Sequence, residues 1–241
     1  MKDGESQMAL ISRFLGVFFN PKETFKALSE RPIWVDMLIV LLILASVYAV
    51  LIAPYIPQDQ IKRLESDAKG RAEMGEEAYN QRLEFWKDPP PFVAIMGIVM
   101  QPVTLLIGFL IQSLIILGMG RLTSTEGNFI QIFSSFVHAN AINLVLGNAL
   151  RAFLIISRES VFQTTTSLAL FFPRLEIMSP AYVVLTQVDF FQLWVFGILG
   201  FALAEIFKIE VKKALLLSFS FWFIRSLFYI ITGLVSMKLA G

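Results

Sequence analysis

Cysteine is absent from this chain of 241 residues, and histidine occurs once, at position 138. The first absence excludes disulfides, thiolate metal ligands and cysteine nucleophiles. With His138 standing alone, it also excludes an ordinary zinc site. Charge is scarce: 16% of residues are Asp, Glu, Lys or Arg, against about 25% in soluble domains. The net charge of +1 offers no excess of positive field to a nucleic acid. No G-x-S-x-G, H-E-x-x-H or phosphate-loop pattern occurs. The carboxylates Asp36, Asp189 and Glu205 fall at helix ends and are not a pair. No catalytic residue, metal ligand or cofactor site is therefore expected. Internal repeats and low-complexity tracts are missing too. Met8 to Phe19 has no small-residue cleavage site and runs straight into Asn20-Pro21, so it does not read as a cleavable signal.

What the chain has in excess is apolar surface. Hydrophobic residues make up 56% of it, and mean hydropathy is +0.68. One soluble core of this length would not absorb that much, so lipid must be the solvent for part of it. The expected fold is an all-α membrane protein, a bundle of five transmembrane helices. The spans are placed at about 33–53, 92–120, 128–156, 188–208 and 214–238. Two regions follow: N-terminal amphipathic helices over 1–32 and a five-span membrane domain over 33–241, with a hydrophilic loop at 58–91.

Met8, Ile11, Phe14, Leu15, Phe18 and Phe19 share one helical face, with Ser12 and Arg13 off it. This short helix is expected in the membrane interface, or packed on the bundle. Asn20-Pro21-Lys22-Glu23 reads as the start of a second helix. The loop at 58–91 mixes both charge signs, Asp67 among them. It predicts two short helices broken near Gly70 to Gly75, solvated outside the membrane. The second span carries Pro102, which is expected to kink it. It also carries a stripe of Gly97, Gln101, Thr104, Gly108 and Gln112, expected to turn inward. The third span is the most polar. Gln131, Ser134, Ser135 and His138 share one side of its first half, and Asn140, Asn143, Gly147 and Arg151 a different side of its second. Between spans three and four, Thr164 to Ser167 and Ser179-Pro180 read as starts of two short helices that cap one end of the bundle, interfacial or partly re-entrant. The fourth span, Val188 to Lys208, has small residues Gly197, Gly200 and Ala204 near its middle and is expected at the centre. A tight basic turn joins it to the fifth.

These parts, in this order, resemble the Yip domain family, named for Ypt/Rab-interacting membrane proteins, and its prokaryotic branch in particular. The resemblance rests on FFNPKETFKALSERP with its P-x-x-x-F stretch (Pro21 to Phe25). It continues through Ser167-Leu168-Ala169, the acidic-aromatic Val188 to Trp194, and Lys212-Lys213-Ala214, and covers nearly the whole chain. It implies a five-span membrane domain without an agreed biochemical activity. Eukaryotic members carry a D-L-Y-G-P-type motif ahead of the spans. This N-terminus has none, which argues against carrying over their binding of Rab-type GTPases.

Arg225 falls near the middle of the fifth span, where an arginine needs a partner or water. The tight turn sets spans four and five antiparallel, so Arg225 lies level with about residue 195. Gln192 is then about one turn away and Asp189 about two, with Arg151 competing for Asp189. The expected intramembrane polar network is Arg225, Asp189, Gln192, Arg151, Asn140, Asn143, Gln101, Gln112 and His138. It is either a structural network or a ligand-binding cavity. Two functions fit: a non-enzymatic scaffold that organises membrane or partner proteins, and a transporter or lipid-handling protein using a polar cavity between spans two to five. The expected partners are membrane lipid, other membrane proteins or a second copy of the chain. Lys2, Arg13, Lys22, Lys26, Arg31, Arg121, Lys208, Lys212 and Lys213 gather on one side. The positive-inside rule puts the N-terminus in the cytoplasm and the C-terminus across the cell membrane.

Overall fold

A computed structural model describes residues 9–66, 68–162, 166–177 and 179–240. Lys2, Met8, Asp67, Thr164 and Thr165 lie outside the described residues. The chain folds as an all-helical membrane bundle with five helices long and apolar enough to cross a bilayer.

The N-terminal segment forms α1 (Leu10–Phe19) and α2 (Pro21–Glu30), joined at Asn20, with Pro21 in the first turn of α2. The first span begins as α3 (Val35–Ile52). Pro54 does not stop it outright: a 3-10 turn at Ala53–Tyr55 leads into α4 (Ile56–Ser66), so the helix carries its polar continuation out of the apolar zone. Beyond it lie α5 (Ala68–Met74) and α6 (Glu76–Lys87). The break falls at Gly75 alone, whose φ of 83° only glycine adopts freely, while Gly70 stays inside α5. In the exposed joint between α5 and α6, a hydrogen bond from Arg71 holds the Glu76 carboxyl below the usual glutamate range.

The second span, α7 (Pro91–Gly120), stays continuous through Pro102. The third is α8 (Phe129–Ala141), then a π-helical turn at Ile142–Gly147, then α9 (Asn148–Arg158). A capping box between Asn128 and Gln131 starts α8. The π turn explains why the polar side changes halfway along this span. Its extra residue per turn rotates everything after it relative to α8. Ser167 caps a 3-10 turn at Leu168–Phe171, and Ser179 caps α10 (Pro180–Leu185). The fourth and fifth spans are α11 (Phe190–Phe207) and α12 (Val211–Ala240). Lys208, at φ 53°, ends α11 in the left-handed conformation and sets the tight turn.

α11 is the helix the others surround. Of its span window 61% is buried, against 22–44% for the other four. It packs on α2, α8 and most extensively on α12. A Cβ at Gly200 would lie 3.1 Å from the Leu215 backbone, so glycine is what lets α11 and α12 approach there. Phe196, Leu199, Leu203 and Phe207 fill the centre with Phe136, Ile132 and Leu41. The outer surface is apolar: Ile43, Val99, Ile111, Phe153, Phe223 and Phe228 all face out.

Of the two placements open for α1, it packs on the bundle: Arg13 and Val17 are buried and Leu10, Phe14 and Phe18 pack on the core, while Ile11, Leu15 and Phe19 are exposed. One expectation is corrected: the α7 stripe does not turn inward. The buried side of α7 is Phe109, Ser113, Ile116 and Gly120, whereas Gly97, Gln101 and Thr104 are exposed. The pocket that Gly120 leaves is filled by the Phe207 ring, and α7 takes the facing set by that contact.

Candidate functional site: three arginine clusters in the bundle

Each polar cluster inside the bundle is built on one arginine. The first ties the N-terminal helices to the spans. Arg13 pairs with Asp36 at the start of α3, with Nη1 to Oδ1 at 3.2 Å and a close Nη2–Oδ2 contact. Its Nη1 also reaches the Ile33 carbonyl at 3.3 Å and His138 Nε2 at 3.3 Å. His138 Nδ1 is 2.8 Å from the Ser134 carbonyl, which only accepts. The hydrogen therefore sits on Nδ1, and Nε2 is left as the acceptor that faces Arg13. Ser134 donates to Ile33 O at 3.0 Å, and Gln131 donates to Ser29 O at 2.6 Å. Four elements are thus pinned at one place: α1, α2, the approach to α3, and α8.

The second cluster joins the π turn, α9 and the head of α11. Arg151 Nη2 donates to Asn143 Oδ1 at 2.8 Å and lies 3.3 Å from Asp189 Oδ2. Nη1 donates to Asn148 Oδ1 at 3.0 Å. The Phe191 ring lies 5.8 Å from the guanidinium carbon. Asp189 does three things at once. It is the counter-ion of Arg151, it caps α11 by accepting the Gln192 backbone N–H at 3.0 Å, and it accepts the Thr166 hydroxyl. Leu168 N donates to Val188 O at 3.0 Å and Phe190 N to Thr166 O at 3.1 Å, which ties the connecting segment to the head of α11.

The third is Arg225 on α12. Nη1 donates to Gln192 Oε1 at 2.7 Å, and the rings of Tyr229 and Phe196 lie 5.3 and 5.8 Å from the guanidinium carbon. Its Nε is buried without a hydrogen-bond partner.

The remaining polar residues do not join these clusters. Asn140 donates to Phe136 O on its own helix at 2.9 Å, and Gln112 to Gly108 O on its own helix at 3.1 Å. Gln101 is exposed on α7 and belongs to no cluster. The reason is the facing of α7 described above, fixed by Phe109 and Gly120.

Sequence reading missed Arg13 and Asp36 as partners, along with Asn148 and Thr166. It also missed Asp59 of α4, which is buried and accepts from Ser160 Oγ at 3.0 Å and from the Val161 backbone. The signal for Arg13 was its place in an otherwise apolar helix beside a membrane span. Nearby, Tyr182 donates to Phe162 O at 2.9 Å, and burial pushes its phenol up.

An open groove of about 510 Å³ lies between α3 and α7, lined by Leu42, Ile43, Ser46, Val47, Val50, Leu51 and Pro102. Its wall is apolar and includes none of the clustered polar residues.

Comparison with curated proteins and with solved structures yields no match. The family model of the Yip1 domain matches residues 15–233, from within α1 almost to the end of α12. By that match the chain belongs to the Yip1 domain family.

Proposed function

We propose that this protein is a non-enzymatic scaffold of the cell membrane that organises partner proteins rather than passing a substrate. The observation that carries the reading is the closure of the Arg13 and Arg151 clusters. Each arginine meets a carboxylate and neutral acceptors drawn from different helices. Groups satisfied by one another hold helices in register and have little left to offer a solute. A transporter of the common kind would need paired broken helices about a central site. Here the π turn at Ile142–Gly147 is the one π-helical interruption among the described residues, and the 3-10 turn at Ala53–Tyr55 falls at the polar end of the first span rather than opposite it about a centre.

The docking face would be the end carrying α2 and the basic turns. Lys22, Glu23 and Lys26 are exposed on α2 beside the buried Phe25 and Leu28. Arg121 and Lys208 lie in the turns at that end and Lys212 and Lys213 in the first turn of α12, and Ser124 Oγ donates to Phe207 O there at 2.6 Å. The positive-inside rule makes this the cytoplasmic end.

The test is photo-crosslinking from Glu23 and Glu30, both exposed on α2, in native membranes. A scaffold gives a discrete protein adduct from these positions, lost on combining Lys22→Glu with Lys26→Glu and kept in Arg82→Gln. Lipid adducts alone at both positions would contradict the reading.

A further inference from the structure

Two of the three inward arginines have a carboxylate; Arg225 forms no ion pair among the described residues. Its one acceptor, Gln192 Oε1, is neutral. Asp189, the carboxylate nearest in level, is already engaged by Arg151, Thr166 and the Gln192 backbone. This part of the bundle therefore holds two arginines against one carboxylate. Arg225 sits near the middle of the Val211–Met237 span, where an uncompensated cation is least tolerated.

The unused part of the guanidinium has a definite chemistry. Arginine presents five N–H donors in a planar fork, and its Nε–Nη2 edge takes two oxygens of a phosphate or carboxylate side by side. Here Nη1 is committed to Gln192, and Nε is buried with no partner. A buried charged donor left unsatisfied points to a group that completes it. Phe196 closes the protein side of the guanidinium, being 0% exposed. Tyr229 is 45% exposed and lies over the same group, so its ring is the cover on the outer side. The surface around that cover is Ile224, Phe228 and Ile231, at 51, 62 and 58% exposure. An anion arriving there must come through lipid.

We propose that Arg225, with Gln192 and Tyr229, binds the phosphate of an anionic membrane lipid that approaches from the outer side of α12. The Tyr229 ring turns aside, the phosphate oxygens take the Nε–Nη2 edge, and the acyl chains lie along Phe228 and Ile231. The length of the arginine side chain and local thinning of the bilayer bring headgroup and guanidinium to a common depth. The inference is independent of the scaffold reading, since a scaffold and a transporter could each carry a structural lipid.

The experiment is native mass spectrometry of the full-length chain released from non-ionic detergent. Phosphatidylglycerol and phosphatidylcholine are titrated at equal concentration, and inorganic phosphate serves as a competitor. Wild type should retain a single phosphatidylglycerol in preference to phosphatidylcholine. Arg225→Gln should lower that retention about tenfold or more, the equivalent of losing hydrogen bonds to a charged group. Arg225→Lys keeps the charge and loses the fork, and should fall between the two. Arg82→Gln, in the exposed loop, should match wild type. Equal retention of the two lipids by wild type would overturn the proposal. So would unchanged phosphatidylglycerol retention in Arg225→Gln. Displacement of the lipid by millimolar inorganic phosphate would assign the site to a soluble anion and overturn the lipid. If Arg225→Gln does not fold, the wild-type lipid preference and Arg225→Lys still decide.

Discussion

Replacing Asp189 by asparagine removes one charge and little else. Asparagine caps helices as well as aspartate does, so the bond from the Gln192 backbone to the head of α11 can survive. What is lost is the counter-ion of Arg151, whose side chain is 19% exposed against 12% for Asp189. Breaking a buried pair from one side costs about 3–5 kcal/mol, because the other charge stays behind unpaired. Asn143 and Asn148 still accept from Arg151 here, at 2.8 and 3.0 Å, which argues for the lower end. The expected loss for Asp189→Asn is therefore about 3 kcal/mol. Removing the second charge as well should restore most of it, so Arg151→Met with Asp189→Asn should cost less than Asp189→Asn alone. The coupling in that double-mutant cycle should be about 2 kcal/mol. The assay is unfolding in mixed micelles followed by tryptophan fluorescence, with Trp194 on α11 as a reporter. A cost under about 0.5 kcal/mol, the size of an ordinary surface change, would refute the reasoning. Equal cost of Asp189→Asn in the wild-type and Arg151→Met backgrounds would refute it too.

Arg13→Leu should free α1 and α2 from the bundle and speed tryptic cleavage after Lys22 and Lys26, whose side chains are already exposed but whose backbone is held in α2, while leaving the spans intact. His138→Leu, which removes the Nε2 acceptor facing Arg13, should destabilise by about 1–3 kcal/mol, read by the same unfolding assay. Gly120→Ala should cost about 1–3 kcal/mol because its Cβ would land on the Phe207 ring. Gly118→Ala meets open space and should stabilise by about 0.5–1 kcal/mol, as glycine-to-alanine changes inside helices do. Gln101→Leu should leave the melting temperature unchanged, since that amide is exposed on α7; a clear drop would restore the inward-facing stripe.

The division between what could be read and what could not follows lipid physics. Five apolar runs separated by charged turns are legible because chain length must match bilayer thickness. The central place of α11 is legible too, from an apolar span charged only at its ends with glycines at its middle. Helix arithmetic across the tight turn at Lys208 puts Gln192 nearest to Arg225, and the two are hydrogen-bonded at 2.7 Å. Facing is the part that sequence periodicity misreads. On α1 periodicity groups Ile11, Phe14, Leu15 and Phe18, yet Phe14 and Phe18 pack on the core with Val17 and Arg13 while Ile11 and Leu15 face out. On α7 polar and small residues at regular spacing suggest an inward seam, yet Phe109 and Gly120 decide which side packs. The polar rotation along the third span needs the π turn, and no local residue pattern announces one. Asp36 was visible only as a helix-end carboxylate, because its partner Arg13 comes from a helix whose docking the sequence left open.

The central claim is that the Arg13 and Arg151 clusters close on their own partners rather than line a water-filled path. The chain has no native cysteine, so single cysteines report without background. Asn143→Cys, Gln192→Cys and Ser134→Cys should be tested in membrane vesicles with a membrane-impermeant maleimide, beside Lys26→Cys and Arg82→Cys as exposed controls. The closed network predicts labelling of the two controls, each from its own side, and none of the three interior positions. Labelling of Asn143→Cys and Gln192→Cys at rates near the controls would contradict it and make a polar cavity the better account.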